Sequence, residues 1–393
     1  MASSERVEVV IAGGGHAGLL LGTALVAAGF DVRIVERQKA PAVAAAPADG
    51  RNLALLAGSA AIARRLGVWQ ALAAWAEPVQ RVVVTDVEGG GRVHYDSAAH
   101  GGGPFGHGFE HVVLRRALLE AFLSRAGADG WICDEVAELD RVGNGIAVRL
   151  ASGRQLTASL LVGADGRASR VRELARIGVD RWSYPQRALT MVIRHDRPHL
   201  GMVREWLRAG GPLATLPLRG DRSGITWTER AGDVDELRTL SEDDLVATLT
   251  RATGGVLGRV AIESGPSVFP LGAQHARAYV APRIALVGDA AHGVHPIHAQ
   301  GFNMGVADVG ALVEALIGAR QRGLALGSGE ALLPYARARR ADNTQRLWLT
   351  DGLVRLFAAD QAPLRAARSL ALDAIERLPP LKRWAVRHGM QTG

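Results

Sequence analysis

"VEVVIAGGGHAGLLLGTALVAAGFDVRIVER" (residues 7–37) joins two strand patterns through a glycine-rich turn and a helix pattern. The apolar runs predict a strand over Val7–Ala12, a helix that ends near Gly29, and a second strand over Asp31–Glu36. Connections this short are typical of a βαβ unit in a parallel sheet. We therefore expect an α/β fold that begins with such a unit.

Glycine spacing inside this stretch predicts a ligand. Gly13, Gly15 and Gly18 form G-x-G-x-x-G between the strand and the helix. The first glycine permits a tight turn, the second lets a pyrophosphate approach the backbone, and the third lets helix and strand pack closely. Glu36 follows Gly18 by 18 residues and ends the second strand, where a carboxylate binds ribose hydroxyls. The alternative, a glycine turn without a ligand, leaves Glu36 unexplained, and one such fingerprint does not separate FAD from NAD.

Composition narrows the class of protein. The chain has 393 residues, 48% apolar and 22% charged, enough for two interdigitated globular domains. Cys133 is the single cysteine, which excludes an internal disulfide and a cysteine-based metal cluster. Met1–Val7 shows no signal-peptide pattern, and we find no uncharged apolar run of about 18 residues. We expect a cytoplasmic protein without a membrane span.

The net charge of +7 is compatible with an anionic cofactor, nucleic acid or an anionic membrane. Aromatic residues make up only 5%, and no basic run is interleaved with them, so we expect no nucleic-acid partner. Residues 364–393 carry six Lys/Arg against two acids on a helical pattern, which predicts a terminal helix. That helix either packs on the protein body or rests a basic amphipathic face on the inner membrane. Its apolar positions are Leu364, Ala367, Ala371, Ile375 and Leu378.

The remaining patterns alternate between the two kinds of element. Short strands are expected over 131–162, and strands with one helix over 182–272. Residues 77–108 begin like a strand and then become the loop "SAAHGGGPFGHG" (97–108). After "RIALVGDAA" (283–291) we expect helix almost to the end. Helix patterns cover Ala57–Gly67, Leu114–Ala126 and Glu242–Ala252.

Two further motifs follow apolar strand patterns. "LLVGADGRASRVR" (160–172) places Asp165 and Gly166 after a strand. "RIALVGDAAHGVHPIHAQGFNMGVADVGALVEAL" (283–316) places Asp289 after another strand, before a glycine turn and a long helix. A nucleotide-binding half therefore occurs in three pieces along the chain. This indicates a discontinuous domain.

The three motifs, in this order, resemble the FAD-dependent aromatic hydroxylases of the para-hydroxybenzoate hydroxylase fold, from about residue 7 to about residue 360. Four further stretches make the chain most similar to the ubiquinone-biosynthesis hydroxylases within that group. These stretches are "RNLALLAGSAAIARRLGVW" (51–69), "GGPLATLPL" (210–218), "SGITWTE" (223–229) and "TDGLVRLF" (350–357).

The resemblance implies an architecture of three parts. A Rossmann-like FAD-binding domain would carry an inserted β-sheet substrate domain, followed by C-terminal helices. The FAD-binding domain would comprise 1–76, 109–181 and 273–345, the substrate domain 77–108 and 182–272, and the C-terminal helices 346–393.

The resemblance also implies cofactor contacts. The glycine turn and the end of the second strand would hold the ADP half of FAD, and two arginines would face the flavin or the diphosphate. Backbone amides at the last turn would meet the flavin pyrimidine edge, where a reduced flavin is negative and a helix N-terminus stabilises it. The positions are Gly13, Gly15, Gly18 and Glu36 for the ADP half, Arg51 and Arg115 for the flavin or diphosphate, Asp165 and Gly166 for FAD and NAD(P)H, Asp289 for the ribityl chain, and Pro296, Gly301, Phe302 and Asn303 for the turn. Arg37 is a further expected cofactor contact.

The implied reaction is hydroxylation of an aromatic ring with NAD(P)H and O₂, the cofactor FAD carrying the redox chemistry. The resemblance favours a polyprenyl phenol or quinone precursor in ubiquinone biosynthesis as substrate. Two alternatives stay open: a soluble phenol of secondary metabolism, and a non-catalytic FAD-binding subunit of a biosynthetic complex. The ring could pack against Trp206, Trp227 or Phe269, although core packing is the favoured role of these three side chains.

Three histidines precede the last turn without forming a metal motif. His292, His295 and His298 are interrupted by Pro296, so they share no regular helical face, and no fourth ligand stands at zinc spacing. We expect no metal and name His298 as the candidate catalytic residue, because it directly precedes the flavin-facing turn. Ala299 occupies a position where many relatives have glycine, and alanine adopts a positive φ only under strain.

Overall fold

The computed structural model of the chain describes residues 5–358 and 362–390, apart from the side chains of residues 298, 357–358, 362–367, 388 and 390. The strands, in chain order, are β1 (Glu5–Ala12), β2 (Val32–Glu36), β3 (Asn52–Leu56), β4 (Glu77–Val79), β5 (Arg81–Asp86), β6 (Arg92–Asp96), β7 (Gly106–Glu110), β8 (Trp131–Cys133), β9 (Val136–Val142), β10 (Gly145–Leu150), β11 (Gln155–Gly163), β12 (Val179–His195), β13 (Met202–Leu207), β14 (Leu213–Leu218), β15 (Arg222–Arg230), β16 (Val260–Ala276), β17 (Val280–Ala281), β18 (Ile284–Leu286) and β19 (His292–Gly293). The α-helices are α1 (His16–Ala27), α2 (Ala40–Ala44), α3 (Ala57–Arg65), α4 (Trp69–Ala73), α5 (His111–Ala126), α6 (Arg170–Leu174), α7 (Ala231–Thr239), α8 (Glu242–Ala252), α9 (Gln300–Gln321), α10 (Gly329–Ala358), α11 (Ala362–Arg377) and α12 (Pro379–Met390).

The first sheet is parallel at its centre, in the order β8–β2–β1–β11–β18. Its central strand β1 is fully buried at Val9, Val10 and Ile11, as expected for a strand covered on both faces. Helices α1, α5 and α9 pack beside it. This is the Rossmann-like layer that the opening motif predicted. The β9–β10 hairpin attaches to β11 in antiparallel fashion.

The second sheet has the order β19–β16–β12–β15–β14–β13–β5–β6 and is antiparallel except between β5 and β13. Leu189 pairs with Trp227 on the face that α7 and α8 cover, which we call the outer face. The other face, the inner face, carries Leu216 and Gly224. A Cβ on Gly224 would lie 2.3 Å from Cγ of Asn52 in β3, so the inner face lies directly against β3.

Several elements were not predicted from the sequence, and helix α7 and strand β7 show two reasons for this. Helix α7 was not predicted, because only Val234 of its nine residues is buried and no periodic apolar stripe forms. Strand β7 lies in the stretch expected to be a loop. Its glycines weaken the strand pattern, yet Gly108 is required because a Cβ there would lie 2.0 Å from the carbonyl oxygen of Pro217.

Helix α9 is long and apolar enough to cross a membrane, with 22 residues and a mean hydropathy of 1.4. Of its apolar window 61% is buried inside the protein, against α1, α3 and α10. Its environment is that of a core helix. No other helix in the described ranges meets the same length and hydropathy criteria.

The C-terminal helices α11 and α12 pack on the protein body. Arg368 forms a fully buried ion pair with Asp86 of β5 at 2.8 Å, and Ile375 and Val386 join an apolar cluster with Leu216. The inner sides of these two helices therefore pack on the protein body. The side chains of Leu364 and Ala367 lie outside the described residues.

Candidate active site

The glycine turn at the start of α1 has the sterics that a dinucleotide requires. Gly13 has φ +106°, and a Cβ there would lie 2.4 Å from the carbonyl oxygen of Ala164. A Cβ on Gly18 would lie 1.9 Å from the Gly13 oxygen, so this residue must be glycine for the helix to pack. Nothing lies within 4 Å of a Cβ on Gly15. That side of the turn is open, as the approach of a diphosphate to a helix N-terminus requires.

Glu36 and Arg115 border this turn. The Gly14 N–H donates to Oε2 of Glu36 at 2.8 Å, and Nε of Arg115 donates to the Gly14 oxygen at 2.9 Å. The Arg115 guanidinium lies 3.7 Å from the Glu36 carboxylate. The structure thus brings a carboxylate and a cation to the end of β2, where a ribose and a diphosphate would lie.

The turn before α9 is held by Asn303. Its Nδ2 donates to the carbonyl oxygens of Ala54 and Ala299, and its Oδ1 accepts the Leu56 N–H at 2.8 Å. The buried side chain therefore fastens the turn to β3 and is not available to a ligand. The backbone N–H groups of the first helical turn have no carbonyl partner within the helix, so they are the groups that can bind one. Ala299 adopts the left-handed conformation, with φ +53°, which is unfavourable for a residue with a Cβ.

The N-termini of α1 and α9 converge. The ring centroids of His16 and Phe302 lie 5.6 Å apart, and those of His16 and His111 lie 4.5 Å apart. Burial lowers the pKa of His16 to about 4 and the pKa of His111 to about 2, and both effects are increased by Arg51 and Arg115. The histidines are neutral at neutral pH, so the positive charge comes from the two arginines and the two helix N-termini. Such a place attracts an anionic diphosphate.

Asp289 lies in the turn that follows β18 and comes before α9. It follows Gly288, which has φ +57°. Its carbonyl oxygen accepts a hydrogen bond from Gln274 at 2.7 Å, which fixes the turn. Its side chain is exposed to solvent. The protein that surrounds the carboxyl group raises its pKa, and His292 and Arg167, which lower the pKa, offset this effect only in part. An accessible acceptor in this place suits a ligand hydroxyl.

A buried polar cluster supports the Asp289 turn from behind. Asp308 accepts hydrogen bonds from His292 at 2.6 Å, the Gly288 N–H at 3.1 Å, Arg339 at 2.9 Å and Asn343 at 2.9 Å. Burial alone would raise the pKa of Asp308, but His292 and Arg339 hold it below its ordinary value. Sequence reasoning missed Asp308, because its partners lie on three different elements.

Asp165 has an internal role in the structure. Its carboxylate accepts a hydrogen bond from the Ser169 hydroxyl and one from the Val171 N–H at 3.0 Å, so it caps the short helix α6. The buried Arg172 that follows donates to the Ala290 oxygen at 2.7 Å. The motif at residues 160–172 therefore stabilises the motif that contains Asp289 through this hydrogen bond. Gly166 supplies the positive φ of the turn, at +80°.

The other predicted site residues are placed as follows. Arg51 donates to Asp49 at 2.7 Å and lies 5.5 Å from the ring of Phe269, at the border with the second sheet. Arg37 has a side chain that is 77% exposed and lies 3.8 Å from Glu135, so the structure does not bring it to the turn. Pro296 and Gly301 lie at the α9 turn, and the side chain of His298 is outside the described residues. Trp206 and Trp227 pack in the outer-face core, the favoured role for both.

The residues around the N-termini of α1 and α9 fit FAD better than a metal ion. Among the described residues, no group of three His, Cys, Asp or Glu side chains could hold a metal ion. The open side of Gly15, the accessible Asp289 carboxylate and the first-turn amides of α9 fit the diphosphate, ribityl and flavin parts of FAD. A glycine turn and a second helix N-terminus beside an antiparallel sheet are the arrangement expected of an FAD-binding protein.

Comparison with known proteins agrees. A model of the FAD binding domain matches residues 6–347. The ubiquinone hydroxylase UbiL of Rhodospirillum rubrum is 38% identical over 99% of this chain and 91% of that protein, and the 3-demethoxyubiquinol 3-hydroxylase of Escherichia coli is 32% identical over 99% of both. Among solved structures, p-nitrophenol 4-monooxygenase of Pseudomonas putida superposes with a TM-score of 0.79 at 18% identity, over 98% of both chains. Klebsiella pneumoniae HpxO, complexed with FAD and uric acid, gives 0.76 at 17% over 99% of this chain and 98% of the other.

The chain belongs to the FAD binding domain family, as its sequence motifs predicted. It is a flavin-dependent aromatic monooxygenase with FAD as cofactor, and NADH or NADPH is the reductant typical of this class. The expected fold, an FAD-binding domain with an added β-sheet layer, is confirmed.

Proposed function

We propose that this chain hydroxylates the ring of a polyprenyl phenol or quinone precursor in ubiquinone biosynthesis. The observation that carries the proposal is the near full-length identity to UbiL and to the 3-demethoxyubiquinol 3-hydroxylase, 38% and 32%. Both proteins are named for quinone-type substrates. The ring would lie between the α9 turn and the inner face of the second sheet.

The inner face supports an apolar substrate. Thr190, Val192, Leu216 and Gly224 form an uncharged part of it, and the charged residues Glu205 and Arg222 of the same face lie outside this part. β3 connects this face to the cofactor turn, because Asn52 donates to the Ile225 oxygen at 3.1 Å and Asn303 binds the same strand. A ring held here would be shielded from water, which protects a reactive oxygen species from side reactions.

The roles of the cofactor residues are part of the proposal. Bound FAD would supply the transfer of electrons from NAD(P)H to O₂, and with it the oxygen atom that the ring receives. Gly15 would admit the diphosphate, Arg115 would balance its charge, and Glu36 would accept from a ribose hydroxyl. Asp289 would accept from the ribityl chain, and the amides of Gly301–Asn303 would stabilise negative charge on the reduced ring. Arg51 and Pro296 would border the flavin, whereas Arg37 and Asp165 act at most indirectly.

We also propose that the protein works in the cytoplasm at the inner membrane, because a polyprenyl substrate resides in a bilayer. The proposal keeps the domain limits expected from the sequence: 1–76, 109–181 and 273–345 for FAD, 77–108 and 182–272 for the substrate. His298 stays the candidate for a side chain that touches the substrate.

The test follows NADH and NADPH oxidation by the FAD-loaded protein while a short-chain 2-prenylphenol in detergent micelles, or a panel of soluble phenols, is offered. Stimulated oxidation with a product one oxygen atom heavier is expected for the prenylphenol. Hydroxylation of a soluble phenol alone would favour the secondary-metabolism alternative. Retained flavin without stimulation by any phenol would favour the non-catalytic subunit.

Asp289→Ala tests the cofactor site separately. We expect FAD to be retained less tightly, since the ribityl chain loses its acceptor, by about tenfold for one hydrogen bond to a charged group. Asp165→Asn is the matched control, because that carboxylate binds within the chain. Equal FAD affinity of Asp289→Ala and the wild type would remove the role given to Asp289.

A further inference from the structure

Helices α11 and α12 each present two different sides. The side toward the body packs on the inner face of the second sheet at its β5–β6 edge. Residues on that side join one apolar cluster with sheet residues; they are Leu372, Ile375, Ala385 and Val386 on the helices and Val93, Tyr95 and Leu216 on the sheet.

The side away from the body carries large apolar residues. Leu370 and Leu378 of this segment are 69% and 53% exposed, and Trp384 is 55% exposed. In α11 and the residue after it, positions 370, 374, 377 and 378 lie on one side of the helix, opposite the inward-facing positions 372 and 375. In α12, the exposed positions 380, 383, 384 and 387 lie opposite the inward-facing positions 385 and 386. The side away from the body thus exposes three large apolar side chains, a feature typical of interaction surfaces where such side chains cluster.

The same side is basic. Arg377, Arg383 and Arg387 are exposed, and none of them forms an ion pair with any residue in the described ranges. Of the two acids in these helices, Glu376 is paired with Lys382 at 2.9 Å, and Asp373 is half-buried. We call the set Leu370, Arg377, Leu378, Arg383, Trp384 and Arg387 the C-terminal outer face.

We propose that the C-terminal outer face docks on an anionic phospholipid bilayer. Tryptophan prefers the level of the lipid headgroups, leucine inserts into the acyl region, and arginine binds phosphate. A second copy of the chain is a poor occupant, because a symmetric contact would set the three arginines against themselves. The inference rests on the proposed function, since it names the surface by which the enzyme reaches a lipid substrate.

Docking would bring the bilayer close to the substrate layer. Arg368 and Asp86 form a buried ion pair, and the Ser369 hydroxyl donates to the Gly89 oxygen at 2.7 Å, so α11 is fastened to the edge of the second sheet. The inner side of the same helices touches Leu216 of the inner face. One helix, about 10 Å across, therefore separates the docked bilayer from that face.

The test is flotation of the full-length holoenzyme with vesicles of phosphatidylglycerol and phosphatidylethanolamine, compared with vesicles of phosphatidylcholine. We expect the wild type to float with the anionic vesicles and to be released by high salt. Leu378→Ser/Trp384→Ser and Arg383→Gln/Arg387→Gln should each weaken this binding by about tenfold. Trp75→Ser is the matched control, because Trp75 is 42% exposed outside the C-terminal helices, and it should bind like the wild type.

Hydroxylation of the micellar prenylphenol is measured in every variant. It should be unchanged, because the substituted residues point away from the sheet. Anionic-vesicle binding that is equal in the wild type and both double variants, or absent in all, overturns the docking proposal. If the wild type does not hydroxylate the prenylphenol, the proposed function is contradicted. The flotation result still tests the docking proposal in that case.

Discussion

Nε2 of His292 lies 2.6 Å from Oδ2 of Asp308, and both side chains are inaccessible to solvent. The same carboxylate oxygen accepts the Gly288 N–H, and the other oxygen accepts from Arg339. One buried carboxylate thus joins α9 and α10 to the turn that presents Asp289. A carboxylate buried in this way is tolerated only because it is paired and fully hydrogen-bonded.

Asp308→Asn should lower the free energy of unfolding by about 3 kcal/mol, because it leaves the Arg339 guanidinium without its buried partner. Chemical denaturation of the purified variant measures the loss. The control is Asp342→Asn, which removes a partly exposed partner of Arg339 and Arg346 and should cost less than about 1 kcal/mol. An Asp308 variant no less stable than the Asp342 variant would show that the cluster does not hold the turn.

Ala299→Gly should stabilise the protein by about 1 kcal/mol, since glycine adopts the left-handed conformation without the clash that alanine makes. Thermal unfolding of the variant and the wild type gives the difference. Ala311→Gly, in the regular part of the same helix, should destabilise by about 1 kcal/mol. The account of the turn is contradicted when both substitutions have the same sign.

Stability should fall as the pH falls from 6.5 to about 4. Burial lowers the pKa of His107 from 6.5 to about 4, with a smaller contribution from Arg64. Between these values the unfolded chain binds a proton that the native state does not, so the free energy of unfolding decreases by about 1.4 kcal/mol per pH unit for one such histidine. His16, His111 and His275 add in the same direction.

His107→Gln should therefore reduce the slope of the free energy of unfolding against pH between 5 and 6.5. Denaturation curves at three pH values suffice to measure the slope in the variant and in the wild type. An unchanged slope would mean that His107 takes up its proton in the native state.

Gly15→Ala separates binding from folding. Gly15 has φ −79°, and nothing lies within 4 Å of the added Cβ, so the apoprotein should unfold like the wild type. FAD affinity should fall at least about tenfold, because the methyl group occupies the approach of the diphosphate. Fluorescence titration of FAD provides the measurement. Gly18→Ala is the contrast: its Cβ would lie 1.9 Å from a backbone oxygen, and it should fail to fold.

Local sterics made much of the fold predictable. Gly13 and Gly18 are required by contacts with their own βαβ unit and its neighbouring strand, so the motif carries its structure with it. Strand β7 and helix α7 were missed because they are stabilised by other elements, β7 chiefly by β3 and β4 and α7 by β12 and β15, which their own residues do not signal. Tertiary packing overrides local pattern at both elements.

The placement of a candidate residue was predictable where a backbone conformation or a strand end fixes it, as for Glu36 and Asp289. It was not predictable where a side chain acts on distant residues. Asp308 supports Gly288 across 20 residues, and Asn303 binds β3 across 249. Arg37 was expected to contact the cofactor, but it lies just after the end of β2, and its exposed side chain is directed toward Glu135.

The central claim, that FAD held between α1 and α9 directs oxygen onto an aromatic ring, is tested most directly with isotopically heavy O₂. The holoenzyme is given NADH, a short-chain 2-prenylphenol and the labelled gas, and the product is examined by mass spectrometry. The account predicts one heavy oxygen atom in the new ring hydroxyl, and less product from Gly15→Ala when FAD is limiting. A product oxygen that comes from water, or no hydroxylated product from FAD-loaded protein that oxidises NADH, would contradict it.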